Sequence, residues 1–484
     1  MKTKIPGLKP AALWKHFFAL AAIPHCSKHE AQAAQYVLAQ ARRLGLPARQ
    51  DAAGNVVVTK PASDPAKTGP AVVLQGHLDM VCEKNETTAH DFAKEGVHPV
   101  RDGDYIRAQG TTLGADNGIG VAAALAVMEA KDLVHGPMEF LFTIDEETGL
   151  TGAFQLGADM LSGNRMLNLD SEEEGAVYIG CAGGMDTVAT SPVRVVPLPA
   201  GRAVYRLKVA GLKGGHSGLD IATGRGNAIK LVARILWTLR RQYTVDIMTL
   251  TGGSKRNAIP RETFVTVALE PGQVAAVEQA LRALEADIRS ELGSADPDFQ
   301  ILFEPHTSNV ERMLDAADAE RVVQFLYAGP HGVIAMTPDI PNLVQTSTNL
   351  AIVELLPDQV RVSMSHRSSV ESHKKDVGRM VTAYCAMAGF AVEQGSGYPG
   401  WKPNLQSALL KTAIEVHQKT FRKKPEIKAI HAGLECGIIG EKYPGMDMIS
   451  IGPIILGAHS PDERVSIPSV AHFWKYLKAM LAEL

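Results

Sequence analysis

The stretch TTLGADNGIGVAAALAVMEA, residues 111–130, joins a turn of small residues to an apolar run with helical character and places one acid, Asp116, at the junction. An acid there is ordinarily a helix cap, its side-chain oxygen accepting an orphan backbone N–H. The flanking sequence suggests a second use. Before it lie AGNVVVTK (53–60) and PAVVLQGHLDM (70–80), and after it MEFLFTIDEETG (138–149) and NRMLNLDSEE (164–173). These read as strands around a helix over 118–132. Continuous apolar runs such as VVL and FLFTI are the pattern of strands buried on both faces. The fold class expected is therefore α/β, with a mostly parallel central sheet whose functional residues collect where strands end.

The chain has 484 residues, enough for two or three domains. Its net charge of −3 gives no electrostatic reason to expect nucleic acid or an anionic membrane as partner. Apolar runs such as VAAALAVM are too short to span a bilayer. The N-terminal run MKTKIPGLKPAALWKHFFALAAIPHCS has basic residues followed by an apolar segment. Lys15 and His16 interrupt that segment, and Trp14, Phe17, Phe18 and Leu20 fit one helix face, so a first helix is expected and not an export signal. The five cysteines, Cys26, Cys82, Cys181, Cys385 and Cys436, are scattered and include no CxxC pair. Neither a disulfide framework nor a zinc knuckle is indicated, and a cytoplasmic protein with reduced thiols is expected.

Beyond about residue 186 the texture changes. RAVYRLKVAGL, NAIKLVARILWTLRRQ, ETFVTVALE and QVAAVEQALRALEADIRSEL alternate strand and helix patterns. A similar set follows in STNLAIVELLPDQVRVSMSHRSS, SHKKDVGRMVTAYCAMAGF and AVEQGSGYPGW. We read an inserted α+β lid domain built from two β-β-α-β-like units, over residues 186–398. The catalytic domain then consists of residues 1–185 and 399–484, the second part carrying the loop HAGLECG, the strand MDMISIGP and a final helix.

Several chemistry-bearing residues sit at strand or turn exits. His77 and Asp79 lie two apart in GHLDM, a spacing that aims both at one face. Asp116 follows, then Asp145, Glu146 and Glu147 after FLFTI, then Asp170 after MLNL, and far downstream His459 in GAHSPDE. Each alone is an ordinary loop residue. Together, two histidines and three carboxylates on one sheet edge form the donor set for a pair of borderline divalent ions such as zinc. Two ions about 3.5–4 Å apart need a shared carboxylate, and a turn of small residues gives Asp116 the close backbone approach that a bridge requires.

GHLDMV, TTLGADNGIG, TIDEETG and NLDSEE, in this order, together with KGGHSG, HAGLECG and GPIILGAHSPDERV, resemble the dinuclear metallo-exopeptidases of the carnosinase-like family, over essentially the whole chain. The resemblance implies His77 and Asp170 on one ion, Glu147 and His459 on the other, and Asp116 between them, followed by a cis peptide at Asp116–Asn117. It implies Glu146 as general base toward the water activated between the ions and Asp79 as the carboxylate orienting His77. It also implies His216 as an oxyanion donor from the lid, and Arg367, Asn257 and Glu435 as substrate contacts, the Arg fork matching a free carboxylate. The two cofactor ions would be Zn2+, with Co2+ or Mn2+ as alternatives.

The activity implied is hydrolysis of dipeptides with both termini free, Xaa-His dipeptides such as carnosine among them, by a homodimer in the cytoplasm. An N-acyl amino-acid deacylase or a tripeptidase of the same fold is the alternative. Whether His216 acts in its own chain or across a dimer is not decided by the sequence.

Overall fold

The computed structural model describes residues 5–309 and 311–484; Lys2 and Lys4 of the N-terminal run lie outside the described residues. The chain divides into two compact units. One comprises residues up to Gly180 with Trp401–Ala429 and Leu434–Leu484, and the other comprises Cys181–Gly400 with Ile430–Gly433.

In the first unit an eight-stranded sheet is built around Val72–His77, which every residue enters buried. Met138–Thr143 and Arg165–Asn168 pair with it in parallel on either side, and Asp447–Ser450 continues in parallel beyond Arg165–Asn168. Antiparallel strands lie outside this parallel centre: Val56–Lys60 beside Met138–Thr143, then Ala48–Gln50 beyond it. On the other side Ala176–Cys181 runs antiparallel to Asp447–Ser450. The sheet is thus parallel at its centre and mixed as a whole.

The helix Ala115–Glu129 has buried residues on all sides, from Ala115 to Met128 except Asp116, the pattern of a helix inside a core. Asp116 and Asn117 have non-helical backbone angles, and the peptide between them is cis. The expected first helix is Ala11–Ala21, with Leu13, Trp14, Phe17 and Leu20 buried.

Cys26 and Cys82 form a disulfide across 56 positions, which corrects the expectation that all five thiols are reduced. The pair has no spacing signature. It is brought together because Cys26 bridges Met80 beside the end of Val72–His77.

The second unit contains a nine-stranded antiparallel sheet. Across it run Gln300–Pro305, Ala203–Ala210, Thr263–Leu269 and Val245–Gly252, then Val344–Leu355, Gln359–Ser368, Gly183–Pro192 and Ala391–Gln394, with Gly332–Met336 added beside Val344–Leu355. Numbered by chain order within each half, the eight strands along this path read 4-1-3-2 and then 2-3-1-4. Each half is a β-α-β-β-α-β unit and the second mirrors the first. The helices are Ala228–Arg240 and Val274–Leu292 in one half, Ala316–Ala328 and Glu371–Met387 in the other. The first half is inserted between the first strand and first helix of the second. The β-β-α-β reading of the sequence therefore captured only part of each unit. Val245–Gly252 escaped it because a register shift between Ile247 and Thr249 breaks the period of two.

Ala228–Arg240 buries Ile229, Val232, Ala233, Leu236 and Leu239 against this sheet, an i, i+3/i+4 stripe. Its cap, Asn227, accepts the N–H groups of Ile229 and Lys230 at 3.0 and 3.2 Å and donates to Leu350 O at 2.8 Å in the other half of the sheet. We expect Asn227→Ala to lose about 2 kcal/mol, from the cap and from a buried carbonyl left without its donor. A urea unfolding midpoint unchanged from the parent would contradict this role.

Candidate functional site

Strand Val72–His77 ends on His77, buried to 1% exposure, with acceptor oxygens facing both ring nitrogens. Nδ1 faces Asp79, 3.1 Å from its carbonyl oxygen and 3.3 Å from Oδ1. Nε2 lies 3.3 Å from Asp116 Oδ1 and 3.2 Å from Asp170 Oδ1. His459 Nε2 lies 3.2 Å from Asp116 Oδ2 and 3.0 Å from Glu147 Oε2. The carboxylate of Asp116 thus turns one oxygen to each histidine. His77, Asp116 and Asp170 form one cluster of potential ligands, and Asp116, Glu147 and His459 form another.

Asp79 lies past the strand end, in a loop. Its carboxylate accepts Ser27 Oγ at 2.8 Å and the backbone N–H groups of Glu146 and Glu147 at 3.0 and 3.1 Å. Burial alone would raise its pKa, but His77 and the two N–H groups hold it down at about 2. The DEE segment does not continue the strand as the sequence suggested. Met138–Thr143 ends first, Asp145 takes a left-handed conformation (φ 48°), and Glu146–Gly149 forms one helical turn. Glu147 joins the His459 cluster, and Glu146 forms a third group with His77 and Glu147.

Asp116 does not cap its helix. Glu463 does so instead, from the PDERV segment. Its Oε2 accepts Leu113 and Gly114 N–H at 2.6 and 3.0 Å, and its Oε1 accepts Ala115 and Asp116 N–H at 2.7 and 3.2 Å. The helix-start positive potential is thereby met by another side chain, and the Asp116 carboxylate is left for the histidines. Small residues are required here. Gly114 has φ 70°, and a Cβ on it would lie 2.8 Å from Met80 Sδ; one on Gly120 would lie 2.4 Å from Leu169 O, beside Asp170. Sequence reading missed Glu463, although four residues separate it from His459. It also missed Glu172, an exposed residue whose carboxyl pKa partial desolvation and the Asp116 and Asp170 charges lift to about 8.

The residues fit a pair of divalent cations. Glu147 Oε1 is buried without a hydrogen-bond partner among the described residues, and Asp170 Oδ1 meets the His77 ring at 3.2 Å. Burial raises Glu146 well above the ordinary carboxylate range, with Asp170, Glu147 and Glu435 adding to the effect against the opposing pull of His77. Burial also lifts Asp170 to about 6. Such a concentration of negative charge is satisfied by cations. Hydrogen bonds to Asp116 and Glu147 raise His459 to about 11; at His77 the neighbouring carboxylates outweigh burial and hold the pKa well above its usual value.

Glu435 begins the helix Glu435–Lys442 and is fully buried. Its Oε2 accepts Gln75 Nε2 at 2.6 Å and Thr143 Oγ1 at 2.7 Å from the sheet, while Oε1 has no hydrogen-bond partner among the described residues. Burial lifts its pKa to about 7.

In the second unit His216 Nδ1 accepts the N–H groups of Gly218 and Leu219 at 3.2 and 3.1 Å. The ring proton of the neutral imidazole therefore sits on Nε2, and burial with the Arg367 charge lowers the pKa to about 4, keeping the ring neutral. Arg367 Nη2 lies 3.3 Å from that Nε2. Two donors so placed call for a shared anionic acceptor. The guanidinium is aimed by Ser217 Oγ at 3.2 Å and Tyr398 OH at 2.9 Å. Asn257 is exposed, and its carbonyl accepts Ser217 N–H at 2.9 Å; no hydrogen bond of its side chain joins it to His216 or Arg367.

The pattern matches a known family. Residues 73–483 match peptidase family M20/M25/M40, and the chain belongs to that family. It is a peptidase of mixed α/β fold. It is 40% identical to the cytosol non-specific dipeptidase of Escherichia coli K12 over 482 residues, 100% of this chain and 99% of that protein. The aminoacylhistidine dipeptidase of Vibrio alginolyticus superposes with a TM-score of 0.90 at 42% identity, covering 100% of this chain and 98% of that one. The aminopeptidase PepT of Bacillus cereus shares the fold at a TM-score of 0.57 and 17% identity, over 98% and 99% of the two chains.

Two outcomes are expected. Glu463→Gln replaces an acceptor oxygen with a donor facing backbone N–H groups, so metal affinity should fall about 10–100-fold although Glu463 is not among the clustered ligands; titration of the metal-free protein measures this. Metal uptake should release protons, because His459, raised to about 11, is protonated at neutral pH in the metal-free protein and ligates only when neutral. Affinity should then rise with pH through the neutral range. Calorimetry in buffers of different ionisation enthalpy checks the release, and a heat independent of buffer would contradict it.

Proposed function

We propose that the protein is a two-metal dipeptidase that hydrolyses dipeptides with both termini free, Xaa-His dipeptides such as carnosine included. The observation that carries the reading is the Asp116 carboxylate, shared between the His77–Asp170 and His459–Glu147 clusters. Full-length identity to a cytosol non-specific dipeptidase, and the close structural likeness to an aminoacylhistidine dipeptidase, support the substrate class. The same likenesses favour dipeptides over the N-acyl amino acids and tripeptides of the alternative reading.

In this reading His77, Asp116 and Asp170 hold one ion and Asp116, Glu147 and His459 the other. Zn2+ suits the imidazole and carboxylate donors, with Co2+ or Mn2+ as alternatives. When bound, the ions polarise the amide carbonyl and acidify water. Asp79 fixes the His77 ring and the turn carrying Glu146 and Glu147. Glu146 takes a proton from the attacking water and passes it to the leaving amine, a task suited to a carboxyl whose pKa is raised by burial. His216 Nε2–H steadies the developing oxyanion and the Arg367 fork takes the free carboxylate. Glu435 Oε1 is an acceptor suited to the substrate ammonium, and Asn257 adds a polar contact. A cytoplasmic homodimer is the setting we infer. No described helix is long and apolar enough to cross a membrane.

Glu146→Gln should retain both ions and lose turnover by about 10²–10⁴-fold, read by elemental analysis and by hydrolysis of a panel of dipeptides, N-acetyl amino acids and tripeptides. Full turnover in that variant would remove Glu146 from the mechanism. Preferential hydrolysis of the N-acetyl compounds by the parent enzyme would overturn the dipeptidase reading.

A further inference from the structure

Between Met80 and Thr111 the chain makes an excursion that the catalytic chemistry does not use. Its base is fastened: Asn85 N–H donates to Gly110 O and Thr112 N–H to Glu83 O, both at 2.9 Å, and Lys84 bridges Thr111. Further out, Lys84 Nζ reaches back to His90 O at 2.6 Å. His90 packs edge-on against Phe92, ring centroids 4.4 Å apart.

His90 is 8% exposed and neither of its ring nitrogens is properly satisfied. Nε2 is buried without a hydrogen-bond partner among the described residues. Nδ1 faces Glu95 Oε1 at 3.5 Å, too long for a good hydrogen bond. On the other side of the same carboxylate, His98 Nε2 stands 3.6 Å from Oε2, and the two imidazole planes are perpendicular. Ligand atoms from His90, Glu95 and His98 all lie within 4.8 Å of one another. Ligands 2.0–2.1 Å from a tetrahedral ion are themselves about 3.4 Å apart. The His90 Nδ1–Glu95 Oε1 separation is that of two ligands on a common ion and exceeds that of a hydrogen-bonded pair, and His98 offers a third ligand atom within 4.8 Å of both. An ion at that centre would take the lone pair of His90 Nδ1, which Glu95 alone does not meet.

We propose that His90, Glu95 and His98 form a third divalent-cation site, apart from the two-metal centre, that ties down the excursion between Met80 and Thr111. Two imidazoles and one carboxylate select a borderline ion, Zn2+ foremost, over Mg2+ or Ca2+. His98 and Glu95 are partly exposed, with side-chain exposures of 65% and 47%, so the ion enters from solvent and a water completes its shell. The role is structural, because the excursion ends on Thr111 and Thr112, just ahead of the Asp116 turn.

The test uses holoprotein whose two-metal centre is already filled with Zn2+, dialysed against micromolar free Zn2+ and assayed for bound zinc. Wild type should take up a third equivalent, whereas His98→Gln and Glu95→Gln should stop at two. Both residues are exposed enough for the variants to fold. Hydrogen exchange over residues 83–98 should slow with the third equivalent in wild type and stay unchanged in the variants. Wild type stopping at two equivalents would overturn the proposal, as would an equal third equivalent in His98→Gln or an excursion whose exchange ignores the added zinc.

Discussion

The carboxylate of Asp79 is the constraint on which the metal-ligand geometry depends. It is 1% exposed and accepts from Ser27, Glu146 N–H and Glu147 N–H while facing the His77 ring. Three segments far apart in sequence are therefore registered against one group. A side chain that satisfied only the histidine would leave the Glu146–Glu147 turn free to rotate, and the placement of those two glutamates would be lost. An unmet buried N–H costs about 1–3 kcal/mol, so the turn has little freedom to leave Asp79.

Glu463 does for Asp116 what Asp79 does for His77. Four backbone N–H groups converge on it. The helix start therefore needs nothing from Asp116, whose two oxygens are free to face two histidines. The ordinary expectation for an acid in such a turn, that it caps, fails because a second acid 347 positions later has taken that place. Nothing local to TTLGADNGIG announces this.

The strands, the buried helix and the acids at strand exits were legible because each depends on a short period or on neighbours in sequence. VVLQGH and MEFLFT read as buried strands and are buried strands. His77, Glu147, Asp170 and His459 could be singled out because each ends or follows an apolar run, and Asp116 because it stands in a turn of small residues just ahead of one. What was not legible depends on distant pairing. Glu463 gains its character from burial against the Asp116 turn and Glu172 from the charges of Asp116 and Asp170, and no periodicity encodes that. The bulged strand Val245–Gly252 and the helix Ala316–Ala328 were missed, and with them the complete β-α-β-β-α-β unit. The disulfide between Cys26 and Cys82 was invisible for the same reason, since only the fold brings the two positions together.

The mirrored strand order of the second unit has a consequence for solubility. A lone four-stranded unit of this kind would present Val245–Gly252, or the part of Val344–Leu355 that Gly332–Met336 leaves uncovered, as an open edge, a template for another chain to add to. Here the two edges meet at one end, with Thr251 opposite Glu354 and Gly252 opposite Val353, and a foreign strand is blocked there. The ends of the sheet are left to Gln300–Pro305, which closes on a proline, and to Ala391–Gln394, only four residues long. The doubled unit thus turns two strand edges toward each other and leaves short strands at the ends of the sheet.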